Sequence, residues 1–247
     1  MLAYHQLRGR LGMGDLHPGG APATAELLRL LAGRGVRRVL EVGAGIGNTA
    51  LRMTELGWEV TALEPDPVLF RILERRLGSR ARRESLAAHC PVEPYDAVVA
   101  ESVLALLDVR EALAQVHNLL KPAGYVAFVE SVWAEDVGAT QARAWHDQTL
   151  RLFGIPVGSR GRLTWQDWRR YLEECGFDCL CAERLPHGSA GHPATPDRRA
   201  LIDASIRDPR LVVWLGRYRL RKRRVGMGGG ALESWVFVGR SGSKAAR

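Results

Sequence analysis

The run Val39-Leu40-Glu41-Val42-Gly43-Ala44-Gly45-Ile46-Gly47-Asn48 constrains this chain more than any other segment. An apolar, β-type stretch ends in three alternating glycines and feeds directly into a helical pattern. Glycine allows positive φ and lets a ligand approach the main chain, while the first turn of the helix leaves N–H groups free for a negative group. The spacing is G-x-G-x-G rather than the dinucleotide fingerprint G-x-G-x-x-G/A, and position 48 is Asn, so an NAD(P) site is the second choice. No G-x-x-x-x-G-K-[ST] occurs, which leaves a P-loop without support. Glu64 closes the next strand-like run seventeen residues after Gly47, where a carboxylate can accept from both hydroxyls of a ribose. Its competing reading is a solvated carboxylate at a strand end.

Around this loop, short β-type runs alternate with helical patterns, as in a parallel sheet covered on both faces. Strands are expected at Val36–Val42, Trp58–Leu63, near Ala81, at Tyr95–Ala100 and at Tyr125–Val129. Helices are expected at Ala21–Leu31, at Asn48–Leu56, from Asp66-Pro67 to Leu77 with Asp66 as N-cap and Pro67 at N1, and at Val109–Leu120. Beyond that point Ala139–Phe153 reads as a helix. Thr164 and Asp167 resemble a capping box for a helix ending at Gly176. Phe177–Ala182 and Ser234–Val238 read as strands, with a Pro/Gly/His-rich segment, a helix from Pro209 and a basic run between them.

Composition narrows the class. At 247 residues, with 46% apolar residues, the chain is long enough for one large domain with inserts, and it contains no apolar run that would cross a bilayer or serve as a signal peptide. A cytoplasmic protein is expected. Cys90, Cys175, Cys179 and Cys181 make no disulfide framework, and C-x3-C-x-C is not a zinc spacing; on a regular strand Cys179 and Cys181 point to one face as small core residues, and no metal is expected. The net charge of +8 is concentrated in Arg217–Arg224 (RYRLRKRR), either a solvated helix end or an attractor for an anionic acceptor or nucleic acid.

The glycine loop, with the acid that follows it, resembles the first two motifs of the class I S-adenosyl-L-methionine-dependent methyltransferases. Tyr95–Ser102 resembles that family's fourth strand and the turn beyond it, and Leu119-Leu120-Lys121-Pro122-Ala123-Gly124 its LxPGG turn, with Ala123 in place of the first glycine. The similarity covers residues 20–132, with weaker echoes at Glu174-Cys175-Gly176-Phe177 and in the last strand. The resemblance implies a doubly wound, mostly parallel α/β sheet with a Rossmann-like fold. It implies S-adenosyl-L-methionine as cofactor and S-adenosyl-L-homocysteine as product. By residue, it implies that Glu41, Gly43, Ala44, Gly45, Gly47 and Asn48 surround the methionine part. Glu64 and Pro65 would hold the ribose, and Glu84, Ser85 and Leu86 the adenine. Glu101 and Ser102 are either donor contacts or the cap of the next helix.

Methyl transfer from a sulfonium is an in-line displacement in which positioning supplies most of the rate, and a base is required only for a protonated, weak nucleophile. Two histidines are candidates for that base. His17, in His17-Pro18-Gly19-Gly20, belongs to a segment that resembles an N-terminal lid, which Tyr4 and His5 could share. His146 lies on the helix after the fifth strand. The turn Ala100-Glu101-Ser102-Val103 lacks the [DNS]-P-P-[YFW] tetrad of amino-methylating nucleic-acid enzymes, so a small organic acceptor is preferred. The alternatives are an RNA methyltransferase using residues 217–224, an NAD(P)-dependent oxidoreductase, and a protein that binds the donor without turnover. The tryptophans at 133, 145, 165 and 168 either line an apolar acceptor pocket or pack between helices. The expected organisation is a lid at 1–20, a methyltransferase domain at 21–240 with a helical cap from insertions at 133–175 and 185–230, and a disordered tail at 241–247.

Overall fold

The computed structural model describes residues 3–14, 17–186, 206, 208–211, 213–214, 216–217, 225 and 230–242. Seven strands form one sheet: β1 (Arg38–Val42), β2 (Glu59–Leu63), β3 (Ala81–Arg82), β4 (Tyr95–Glu101), β5 (Leu120–Trp133), β6 (Phe177–Arg184) and β7 (Leu232–Ser241). Their order is β3-β2-β1-β4-β5-β7-β6, with β1 to β5 paired in parallel and β7 antiparallel to both β5 and β6. The apolar runs of the parallel strands are explained by burial on both faces. On one side, α2 (Gly20–Leu31), α3 (Asn48–Glu55) and α4 (Pro67–Leu77) bury Leu27, Leu31, Met53 and Leu73 in one apolar cluster with Val39, Val60, Val129 and Val238 of the sheet. On the other, α5 (Val109–Leu119) and α7 (Trp165–Glu174) bury Leu113, Val116, Trp168 and Leu172 against Phe128 and Phe237. The doubly wound arrangement is therefore the one expected.

The helix starts follow from their caps. Asp66 accepts from the N–H groups of Val68 and Leu69 with Pro67 behind it, and Thr164 with Asp167 forms the reciprocal capping box. Two further helices stand apart from the sheet layers: α1 (Tyr4–Arg10) and α6 (Ala139–Phe153). A lid was expected over residues 1–20, and its helical part is α1. Gly9 brings α1 onto α4, since a Cβ there would sit 2.3 Å from Leu69 Cδ2. Leu7, Leu11 and Met13 pack with Leu211, Phe153 and Trp214, so the N-terminal segment is joined to the end of α6 and to the helical residues near 211.

Several expectations are corrected. The segment 165–174, expected within a helical cap, is a layer helix on the sheet. The Lys121–Gly124 turn does not separate helix from strand; β5 already begins at Leu120, and the residues between Leu120 and Tyr125 bulge out of the ladder with β4. Cys179 and Cys181 do not share a face. A register shift between them places Cys179 against the α5/α7 core and Cys181 against the α2 core. The four tryptophans pack rather than line a pocket: Trp133 stacks on Trp145, Trp165 on Trp235, and Trp168 lies among Phe128 and Phe237. The last strand extends through Ser241, whose buried hydroxyl donates to the carbonyl of Lys121. The basic run, apart from Arg217, and most of 185–230 lie outside the described residues.

Ala123 has φ +61°, a conformation that a glycine holds without strain, whereas Gly47 has φ +83° and a Cβ there would meet Leu73 Cδ1 at 2.6 Å. Opposite outcomes follow. Ala123→Gly should raise stability by up to about 1 kcal/mol, and Gly47→Ala should lower it by about 1–3 kcal/mol, as read by urea denaturation.

Candidate active site

The strand order reverses between β1 and β4, so the connections leaving their C-terminal ends run to opposite faces and leave a crevice. A cavity of about 1150 Å³ occupies that crevice. Single ligand sites run to about 300–1,000 Å³, so this one has room for two small molecules. Its floor is the glycine loop. Gly45 has φ +58° with nothing within 4 Å of a built Cβ, so the backbone there faces open space; Gly43 instead must be glycine because a Cβ would meet Val103 Cγ2 at 2.3 Å. Gly47 does not line the cavity, contrary to expectation. It caps α3 and serves the packing of α4.

Glu64 ties this floor to the next wall. Its Oε2 accepts from the Gly45 N–H and its Oε1 from the Asp66 N–H, both at 2.8 Å. Burial pushes its acid up to about 7, and these two hydrogen bonds offset only part of that effect. Deeper in, Glu41 is buried with Oε2 lacking a partner, and its acid is raised well above the usual range by burial and then by the charges of Glu101 and Glu64. Glu101 accepts from Thr24 Oγ1 at 2.8 Å and from Thr49 Oγ1 at 2.5 Å. Ser102, at φ +58°, has a buried Oγ without a partner. Glu101 and Ser102 thus do not cap a helix; Asp108 caps α5 instead. Along the remaining wall lie Pro65, Glu84, Ser85 and Leu86. Glu84 is oriented by His89, whose two ring nitrogens lie 2.9 Å from Glu84 Oε2 and from the Tyr95 hydroxyl.

The two candidate histidines differ in what occupies their nitrogens. His17 Nδ1 faces the Pro18 carbonyl at 3.2 Å, and Nε2 faces Thr24 Oγ1 at 3.0 Å and Glu101 Oε1 at 3.4 Å. These contacts fasten the N-terminal segment to the end of β4. The N-terminal segment is fastened a second time where Gln6 Nε2 donates to Asp66 Oδ2 at 2.6 Å, beside His5 at 3.6 Å. Asp66 sits below the usual carboxylate range because these contacts and its N-cap bonds outweigh its partial burial. His146 is buried in the cavity wall. The Gly158 carbonyl at 3.2 Å takes the proton on Nδ1, which leaves the Nε2 lone pair available.

Three contributors escaped the sequence reading. Glu130 is fully buried at the end of β5 and accepts from the N–H groups of Leu104 at 2.8 Å and Ala105 at 3.3 Å, fixing the turn after β4. Its signal was a lone carboxylate in the apolar run Tyr125–Trp133. Thr49 is the second, holding Glu101 from the first turn of α3. Arg160 is the third, on the cap loop. Asn48 lines the cavity but its side-chain oxygen is taken by Arg76 at 2.8 Å. Among the described residues no group of three or more His, Cys, Asp and Glu side chains is placed to hold a metal, and no helix is long and apolar enough to cross a membrane.

A Rossmann-like sheet with this strand order, a glycine floor after β1 and a carboxylate at the end of β2 defines the class I methyltransferase type. A family model described as "Methyltransferase domain" matches residues 19–182, and the chain belongs to that family; it is an S-adenosyl-L-methionine-dependent methyltransferase. It is 26% identical over 202 residues to YodH, an uncharacterized methyltransferase of Bacillus subtilis (strain 168), covering 79% of this chain and 83% of that one. It is 36% identical over 108 residues to the malonyl-[acyl-carrier protein] O-methyltransferase of Salmonella typhimurium, covering 41% of this chain and 42% of that enzyme. The crystal structure of Haemonchus contortus phosphoethanolamine N-methyltransferase 2, in complex with phosphomonomethylethanolamine and S-adenosylhomocysteine, superposes with a TM-score of 0.67 at 14% identity, covering 96% of this chain and 57% of that one.

Glu64 and Glu130, the latter also pushed up to about 7 by burial, keep their protons in the folded chain well above the ordinary value of 4.5. The folded state therefore binds more protons than the unfolded state between pH 4.5 and 7. Stability from these groups is complete below that interval and is lost as the pH rises through 7. Urea denaturation at pH 5 and pH 8 should show the wild type losing more stability across the interval than the Glu64→Gln/Glu130→Gln double variant. Equal losses would refute the assignment.

Proposed function

We propose that this methyltransferase acts in the cytosol on a small organic acceptor, with the donor held along the β1–β2–β4 wall and the acceptor between that wall and the cap. The observation that carries the reading is the clamp of Glu64 on Gly45, which brings a carboxylate and an open glycine backbone to one surface of the cavity. The residues fit an S-adenosyl-L-methionine donor. Each Glu64 oxygen retains a lone pair for a ribose hydroxyl; the orphaned Glu41 Oε2 and Ser102 Oγ offer buried polar contacts to an amino-acid tail; Glu84, Ser85 and Leu86 provide the wall for the base. When bound, the donor supplies an electrophilic methyl carbon on a sulfonium, whose departure leaves a neutral thioether.

The chain's own residues then have positional tasks. The doubly fastened lid and the cap exclude water from the reacting centre. Glu130 and Thr49 keep the turn after β4 in place. His146 is the general base for an acceptor that arrives protonated, through Nε2, with the Gly158 carbonyl fixing the tautomer. His17 is a latch. A cavity with room for two small molecules supports a small-molecule acceptor over an RNA substrate, and the G-x-G-x-G spacing supports the sulfonium nucleoside over NAD(P).

In a thermal-shift screen, S-adenosyl-L-homocysteine should stabilise the protein, while NAD(P) and ATP should leave its melting temperature unchanged. Calorimetry on Glu64→Ala should show affinity for the same nucleoside weakened by about 1–3 kcal/mol through loss of hydrogen bonds to a charged group. An unaltered dissociation constant would remove the ribose role.

A further inference from the structure

The acceptor side of the cavity carries a charge that nothing else in the described molecule neutralises. The loop 154–163, after α6, is held rigidly: Val157 N–H donates to Thr149 Oγ1 at 3.0 Å, the Trp133 indole N–H to the Ser159 carbonyl at 2.8 Å, and Leu163 N–H to Ser159 Oγ at 2.9 Å. Arg162 is spent on the carbonyls of Val137 and Glu135. Arg160, between these staples, lines the cavity, and among the described residues no carboxylate pairs with it. The cavity's other guanidinium, that of Arg110, shows what a satisfied one looks like, with Glu174 at 2.7 Å and the Tyr171 ring at 4.6 Å. Of the acids that do line the cavity, Glu64 and Glu101 at the strand ends, Asp66 at the N-terminal segment, Glu84 on His89 and Asp108 on the first turn of α5 are engaged, and Glu41 is buried at the end of β1.

The lining that Arg160 shares is in part apolar. Leu106, Leu107 and Leu150 are 42–45% exposed although large and hydrophobic, and all three face the cavity, together with Ile155 and Pro156. Exposed leucines gathered around a cavity mark a binding surface. An exposed, uncompensated guanidinium on a stapled loop, in the same cavity as such a surface, recognises a molecule with an apolar body and an anionic head, by charge-assisted and, with carboxylate or phosphate, bidentate hydrogen bonds.

We propose that Arg160 is a specificity-determining residue that binds the anionic head, carboxylate or phosphate monoester, of an amphiphilic acceptor whose apolar body lies on Leu106, Leu107 and Leu150. The assignment rests on the methyltransferase reading of the cavity, and the test separates the two. Full-length protein is first titrated calorimetrically with S-adenosyl-L-homocysteine; failure of the wild type to bind it would sink the methyltransferase reading itself. The loaded protein is then titrated with four probes of one body and different heads: octanoate, octyl phosphate, octanol and octylammonium. At least one anion should bind about tenfold or more tighter than octanol, with octylammonium weakest, and the stronger of the two anions identifies the head. Arg160→Gln should erase that preference while leaving octanol binding unchanged, Arg160→Lys should restore part of it, and affinity for S-adenosyl-L-homocysteine should change less than about twofold in both. Equal binding of all four probes, tightest binding of octylammonium, no binding of either anion, or an anion preference that survives in Arg160→Gln each overturns the proposal. Weakened nucleoside binding in Arg160→Gln overturns it too, by assigning the arginine to the donor's own carboxylate.

Discussion

The hydrogen bond from the Gly45 N–H to Glu64 Oε2 is the contact on which the architecture of the site depends. It joins two segments that the sheet alone places only side by side, the loop leaving β1 and the loop leaving β2. The carboxylate fixes the glycine backbone in its left-handed conformation and, through Asp66 N–H, sets the start of α4. The same Asp66 then holds Gln6 of the lid. Floor, wall and cover are thus connected through three adjacent positions, so a ligand that touches Glu64 touches the element that positions everything around it.

Burial of acids is the cost of this design. Glu41, Glu64 and Glu130 are all buried, and all three are pushed toward the neutral form. Glu130 is compensated by backbone N–H groups, Glu64 partly so, and Glu41 least, since one of its oxygens has no partner. Unequal compensation has a functional sense: the acid that only shapes a turn is satisfied internally, while those facing the crevice retain unmet hydrogen-bonding capacity. A ligand rich in hydroxyl and ammonium donors meets that capacity, and an apolar ligand does not.

Much of this was legible in the residues. The period-2 and helical patterns located β1, β2, β4, α2, α4 and α6, because each is decided by local apolar spacing and an identifiable cap. The glycine loop and Glu64 were legible because backbone conformation and strand-end position confine what those residues can do. What escaped was decided by contacts distant in sequence. A histidine reads the same whether its second nitrogen meets a carbonyl or water, so the buried His146 and the doubly engaged His17 looked alike. The alternation that predicted one face for Cys179 and Cys181 failed at a bulge imposed by β7. Gly47 belonged to the glycine pattern yet serves Leu73 of α4, a packing demand that no motif spacing reveals.

The cap shows why acceptor choice is the least legible property of such a chain. The donor wall uses strand ends and the turns that follow them, whose geometry the sheet enforces. The proposed acceptor wall is the irregular stretch 154–163, held by single hydrogen bonds rather than by any repeating pattern: the Trp133 indole N–H and His146 Nδ1 meet the carbonyls of Ser159 and Gly158, and the Val157 N–H donates to Thr149 Oγ1. A residue at the tip of such a loop can change without disturbing the staples beneath it, because none of them uses its side chain. Arg160 occupies that tip. On the proposed reading the fold would separate the two halves of the reaction physically: the nucleoside would meet groups that the scaffold cannot lose, and the acceptor a side chain that the scaffold leaves free to vary.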